Sequence, residues 1–452
     1  MELVFIKARI GVIKRNEELK DFIDSEETRK LCRNEGENTF IRDRKLPFND
    51  LLKICLNKQG KTTSFELRNY EIAKKGLDKV NYSDEAYLKQ RRNLNPEVFK
   101  EANKRYLKDF YNNDNVVKEK GYILLAGDGS SIEVPNTKNN REFFGYQKNN
   151  PYQSCSKARG QISTLYDLNN NFYLDVTINR YKHSESKMAK ENIDKALEII
   201  NQDKILTIFD RNYPSLVFFM HLEKRNIKFL MRLPKGYWKK EIDNMGTDDE
   251  LITVLHDKDR KKTAKNNFPL DYEEFISKKE TKIRVTKVIL STGEEETLVS
   301  NLSINEFNAE ELKELYNKRW GIESSYNTAK NKLKVESFTG DLPQFVYQDI
   351  YAGVLVFNQI QDLKHLSDHK LKQQNKTTKH IYVINENKAI GLFKEQFIKI
   401  MLTEKKAKRT ELYGKLIDEM TNYVEAQRKN RPNQPRLINY RSKYRRNLKD
   451  SF

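Results

Sequence analysis

Apolar residues fall at helix-like spacing in Leu51 to Leu56 (LLKICL) and from Glu97 to Tyr111, so the first 115 residues read as helical. Between these stretches, KQGKTTSFELRNYEIAKKG and KQRRNLNP supply turns and positive charge. A helix-turn-helix here lays Lys and Arg on phosphates; a helical cap with a solvated basic face fits the same residues. From Tyr122 the period shortens. YILLAGD (Tyr122 to Asp128) is an apolar run ending in an acid, and SIEV (Ser131 to Val134) continues extended. GQISTLYD and FYLDVTI are β-rich and joined by Leu168-Asn169-Asn170-Asn171, a hairpin signal because Asn tolerates positive φ. A helix is predicted from about Ser184 to Asn201, with Met188, Ile193, Ala196, Leu197 and Ile200 broadly on one face. The strand KILTIFD (Lys204 to Asp210), a helix from about Tyr213 and the strand KFLMRL (Lys228 to Leu233) follow.

Three strands, helix, strand, helix, strand is the order of an α/β, ribonuclease-H-like core with a mixed sheet. ELITVL, TKIRVTKVIL and EETLVSNL then read as strands of a β insertion, the last two joined by Ser291-Thr292-Gly293-Glu294. Asn308 is an N-cap for one long helix reaching about Val335. Val346 to Leu363 and Lys388 to Leu402 are again helical. Five regions result: a helical, basic region at 1–115, the first part of the core at 116–234, the β insertion at 235–305, the last part of the core with its long helix at 306–345, and a helical C-terminal region at 346–452. No internal repeat marks a solenoid or propeller.

Charge changes this picture. The 84 Lys and Arg exceed 65 Asp and Glu, a net charge of +19 over 452 residues, which favours a polyanionic partner. From Arg428 to Lys449 a tail carries nine Lys or Arg and no acid, attracted to phosphate or simply solubilising. Cys32, Cys55 and Cys155 are too few and too scattered for a disulfide framework or zinc ribbon, and point to a reducing compartment. The longest apolar runs, Leu216 to Met220 and Val354 to Phe357, fall far short of the ~20 residues of a spanning helix, so no membrane is expected. A soluble, intracellular protein is the expectation.

Three acids stand out: Asp128 closing the first core strand, Asp210 closing the fourth, and Glu323 on the long helix. First and fourth strands are neighbours in such a sheet, so the aspartates approach and repel unless a cation sits between them. Oxygen-only ligands suit Mg²⁺ or Mn²⁺, and two ions serve an in-line phosphoryl transfer. At ~100° per residue, Tyr316, Arg319, Glu323 and Lys330 fall within about 60° of one another on one helix face. None of the six histidines stands in an HExxH motif, which makes a zinc hydrolase a poor fit, and His183 with Glu185 opens the helix after the third strand. Ser130 and Ser131 lack a nucleophile elbow, and there is neither a phosphate-binding GxxxxGK[ST] loop nor a GxGxxG fingerprint.

The run YNKRWGIESSYNTAK (Tyr316 to Lys330) resembles the tyrosine–arginine–glutamate–lysine signature of bacterial DDE transposases of the insertion sequence four family. AGDGSSIEVP (Ala126 to Pro135) resembles the segment around that family's first catalytic aspartate, and FDRNYPS (Phe209 to Ser215) the second. The resemblance implies that Asp128, Asp210 and Glu323 are the metal-binding catalytic triad. It implies that Tyr316, Arg319 and Lys330 contact phosphates of the transposon end, with Arg232 a further phosphate candidate. Trp320 would stack on a displaced base, or else be a core residue. For hairpin chemistry the insertion would offer Tyr237, Trp238 and Tyr272, since EETLVSNL has no aromatic. The implied activity is cut-and-paste transposition. A homodimer on DNA would bind terminal inverted repeats, cut strands with Mg²⁺ or Mn²⁺, and join them to target DNA. Alternatives are a ribonuclease-H-like nuclease without strand transfer and a non-catalytic DNA-binding regulator; a two-carboxylate glycosidase suits the charge poorly.

Overall fold

The computed structural model describes residues 2–42, 45–76, 82–113, 116–148, 156–200, 204–289, 293–374 and 380–427. Cys155, the turn residues Ser291 and Thr292, and the basic tail from Arg428 lie outside them. The chain divides into two units, residues 116–328 and residues 1–115 with those from 329 onward. The N-terminal and C-terminal helical regions, separate in the sequence reading, therefore belong to a single unit, and its boundary falls inside the 306–345 region.

The helical unit contains α1 (Glu2–Ile23), α2 (Glu26–Leu31), α3 (Phe48–Leu56), α4 (Thr63–Lys75), α5 (Asp84–Arg91) and α6 (Glu97–Asn113). The 32-residue Pro343–Gln374 helix packs on α1, α3 and α6. It presents buried acids to α1 and α5: Arg15 Nε donates to Asp362 at 2.9 Å, and Arg91 Nη2 to Asp349 at 2.9 Å. Arg91, which the sequence offered to phosphate as part of a basic turn, is thus buried as a structural cation. Unpaired, such a buried charge would be severely destabilising; paired and hydrogen-bonded, it ties segments far apart in the chain.

The second unit is built on one mixed sheet. Its strands are β1 (Tyr122–Glu133), β2 (Tyr146–Gln147), β3 (Lys157–Asp167), β4 (Phe172–Arg180), β5 (Lys204–Phe209), β6 (Lys228–Arg232), β7 (Asp249–Leu255), β8 (Glu280–Ile289) and β9 (Glu295–Ser300). β4 pairs antiparallel with β3, β3 antiparallel with β1, β1 parallel with β5, and β5 parallel with β6. The order β4-β3-β1-β5-β6 with this polarity is a ribonuclease-H-like sheet. The β3–β4 hairpin turns through Asn171 at φ +57°, the conformation its Asn run suggested. The insertion is no separate body: β9 pairs antiparallel with β6, and β8 and β7 extend the same sheet.

Helices α7 (Lys138–Phe144), α8 (Glu185–Leu197), α9 (Leu216–Lys224), α10 (Lys239–Asp243), α11 (Lys258–Asn267) and α12 (Tyr272–Ser277) connect these strands. The long helix expected from Asn308 to Val335 is divided. It comprises α13 (Ala309–Asn317), α14 (Trp320–Asn327) and a π-helical turn at Thr328–Lys332. Asn308 caps α13 through a full capping box with Glu311. The break lies where Arg319 N bonds Tyr316 O at 3.0 Å and Gly321 N bonds Lys318 O at 2.9 Å, a tightening to i→i+3. Its cause is local. Gly321 is a poor helix former and sits so close to Leu168 that a Cβ would stand 2.9 Å from that side chain.

Tyr122, Leu124, Leu206, Ile208 and Leu230 on one sheet face bury against Leu312, Leu315, Tyr316 and Phe307. Each such apolar side chain contributes about 1.5–3 kcal/mol of burial, which holds α13 flat on the sheet. Among the described residues no helix is long and apolar enough to cross a membrane.

Candidate active site

Register places the two aspartates. Ala126 of β1 pairs with Ile208 of β5, the last parallel pair between these strands. Asp128 and Asp210 each lie two residues beyond it, on neighbouring chains that in a sheet run ~4.8 Å apart. Asp210 follows the end of β5 and accepts from Asn212 N at 2.8 Å. Asp128 does not close its strand as the sequence suggested. β1 continues to Glu133 because β3 still pairs with it after β5 has ended. Asp128 therefore sits where β1 outruns β5, mid-strand but at the open end of the parallel pair.

Burial, then repulsion from Asp210, pushes the Asp128 carboxyl up to about 7; Arg319 opposes the shift and Glu185 adds to it. Asp128 Oδ1 accepts from Gly129 N at 2.9 Å. Helix α14 is fastened alongside. Tyr326 Oη donates to the Asp128 carbonyl at 2.9 Å and accepts from Thr164 Oγ1 at 2.8 Å. Tyr173 Oη and Ser325 Oγ hydrogen-bond at 2.8 Å.

Arg319 joins the helix residues to the pair. The residue is 8% exposed; its guanidinium donates to Glu323 Oε1 at 3.1 Å and lies 5.8 Å from the Tyr316 ring and 5.2 Å from the Trp320 ring. Tyr316 is buried in the core under α13, and burial pushes its phenol up to about 12. Trp320 is half exposed rather than in the core. Trp238, by contrast, is buried, 6.1 Å from Phe219. Arg232 lies one strand further on, paired with Glu296 Oε1 at 2.6 Å across β6 and β9. Lys330 stands on the π-helical turn, in the other unit, with Glu336 Oε1 at 3.3 Å. The break after α13 and the π-helical turn interrupt the single regular helix on which Tyr316, Arg319, Glu323 and Lys330 were expected to share a face.

The sequence reading missed two groups. Glu185, noted only as the start of α8, has its carboxylate against Gly129 and feels Asp210. Tyr213, three residues after Asp210, is buried and feels Asp128, Glu185 and Asp210. Their positions after the third and fourth strands were the available signal. Among the described residues no three His, Cys, Asp or Glu side chains are already grouped as a metal site. The Asp128–Asp210 pair nonetheless fits a hard divalent cation: it offers oxygen donors only, and their repulsion is what such a cation relieves.

A sheet of this order, with register-matched acids and a carboxylate–guanidinium pair on the covering helix, defines a ribonuclease-H-like core. The model of the transposase DDE domain matches residues 119–359, more than half of the chain, and the chain belongs to that family. It is 24% identical over 242 residues to the transposase InsG for insertion sequence element IS4 of Escherichia coli (strain K12). That alignment covers 53% of this chain and 51% of the relative, so the chain spans about half the length of the curated relative it matches. A cryo-EM structure of the piggyBac transposase synaptic complex with hairpin DNA shares 9% identity at a TM-score of 0.45, over 89% of this chain and 84% of that one. The fold assignment rests on strand order and polarity alone.

Proposed function

We propose that this chain binds the terminal inverted repeats of its own insertion sequence, cuts the DNA there and joins the freed ends to target DNA. Asp128 and Asp210 would hold a divalent cation, and Glu323, now paired with Arg319, would be the third acid able to hold it. The cation, once bound, activates the attacking oxygen and stabilises the leaving one, and two ions suit the in-line displacement. Arg319 grips a phosphate in the bidentate manner its planar fork allows, and its burial against Tyr316 fixes the direction of that fork. Trp320, exposed beside it, offers a face on which a base stacks. Lys330 and Arg232 supply point charges further along the backbone. The helical unit adds phosphate contacts, and two copies act on paired ends.

The observation that carries this reading is the shared offset of Asp128 and Asp210 beyond the last parallel β1–β5 pair, inside the stretch matched by the transposase domain. The test uses labelled DNA carrying the element's ends, with Mg²⁺. Asp128→Ala should lose cleavage by a factor of ~10³ or more while binding the ends with unchanged affinity. Wild-type cleavage by that variant would overturn the assignment. Supplying pre-cut ends and looking for joined product separates a transposase from a nuclease without strand transfer.

A further inference from the structure

Glu185 opens α8, which packs on β3 and β4. Successive strand residues face opposite sides of the sheet, so Gly129 faces away from Asp128 and toward α8. Thr164, opposite Asp128, bonds Tyr326 of α14, whereas Ser163, opposite Gly129, bonds Asn192 of α8. A side chain at residue 129 would block the approach from α8: its Cβ would stand 2.8 Å from the Glu185 carboxyl carbon. Glycine leaves that space, and the Glu185 carboxylate occupies it. Gln161 Nε2 holds Glu185 Oε1 at 3.1 Å, and the Asn212 side chain, two residues after Asp210, also bonds it. Glu185 thus reaches the open end of the β1–β5 pair from the side opposite Glu323.

A second, independent feature marks the same spot. Tyr213 is 1% exposed, and its hydroxyl is buried with no hydrogen-bond partner among the described residues. Burial and then the negative charges of Asp128, Glu185 and Asp210 raise its phenol, which places the hydroxyl within electrostatic reach of all three acids. An unmade hydrogen bond on a buried hydroxyl is costly, so a group that accepts from it belongs in this space.

We propose that Glu185 is a further acid of the cation site, holding a hard divalent ion together with Asp128 and Asp210, and that Tyr213 Oη bonds a water carried by that ion. This rests on the transposase reading for the presence of a cation, and adds to it a ligand and a positioning hydroxyl from outside the three-acid signature. The side chains close on the ion by rotation, Glu185 giving up Gln161 and Asn212.

The experiment is Mn²⁺ binding to the full-length chain without DNA, followed by electron paramagnetic resonance and by the rise in Tm on adding Mn²⁺. Asp128→Asn and Glu185→Gln should each weaken Mn²⁺ about tenfold or more. Loss with D128N but unchanged affinity with E185Q overturns the Glu185 assignment and leaves the transposase reading standing. Unchanged affinity with D128N counts against that reading itself. Glu185→Asp, which keeps the charge but draws it back by one methylene, covers the case of E185Q failing to fold, and should also bind more weakly. Tyr213→Phe should keep or raise the Tm without metal, because it deletes an unsatisfied hydroxyl, and should reduce the Mn²⁺-induced rise. A full rise with Y213F would overturn the role of the hydroxyl.

Discussion

Individual residues in this protein take their character from what faces them. His221 on α9 is an ordinary histidine by sequence, yet burial, Arg225 and Lys190 depress it to about 4, against the weaker pull of Asp194 and Asp271. The depressed value sets the sign. The folded state keeps His221 neutral, whereas the unfolded chain takes up a proton below about 6.5, so stability is lost as pH falls from about 6.5 toward 4. His221→Gln should therefore flatten the acid limb of the stability curve, by about 2 kcal/mol at about pH 5, in urea titrations at several pH values. An unchanged slope would show His221 charged in the fold. At the site, Arg319 matters through geometry as well as charge. Arg319→Lys keeps the cation but loses the planar fork over Tyr316, and should cut cleavage of transposon-end DNA by ~10-fold or more while thermal stability changes little. The acids, the arginine and the tryptophan were legible as residue types in order. The burial that raises Asp128 was not, because it comes from strands and helices distant in sequence.

Among elements, the capping box at Asn308 and Glu311 is the clearest case of local sequence setting local structure. Asn308→Ala removes the side-chain acceptor for Glu311 N at 3.0 Å and should cost about 1 kcal/mol, read as a lower urea midpoint at unchanged slope. Because α13 leads into the turn that carries Arg319, cleavage by N308A should also fall more than its stability does at moderate temperature. Strands and helices were largely visible in the periodicity, as was the β3–β4 turn. The end of β1 was not, because a strand continues for as long as a neighbour pairs with it, and β3 outlasts β5. The division of α13 from α14 was hidden for a similar reason: Gly321 permits the break, but Leu168, from a hairpin elsewhere, presses on it.

For the molecule as a whole, the net charge of +19 makes a prediction that no single residue does. Affinity for transposon-end DNA should fall steeply and linearly on a log–log plot against salt, as phosphate contacts release counterions. A flat dependence would remove the electrostatic basis of DNA binding. Within the helical unit, Asp349→Ala leaves Arg91 buried without its carboxylate and should cost about 3–5 kcal/mol, visible in thermal unfolding. By itself, the sequence determined the period of each element, the cap, the hairpin, the charge and the order of acids, since these depend on neighbours a few positions apart. Tertiary structure alone decided that the insertion's strands would lengthen the central sheet and that residues 1–115 would share a unit with those from 329 onward. It also brought Glu185 and Tyr213 to the aspartates. The physical reason is pairing and burial across long separations: strand register and helix packing fix which side chains share a low-dielectric space, and chain spacing carries no record of that.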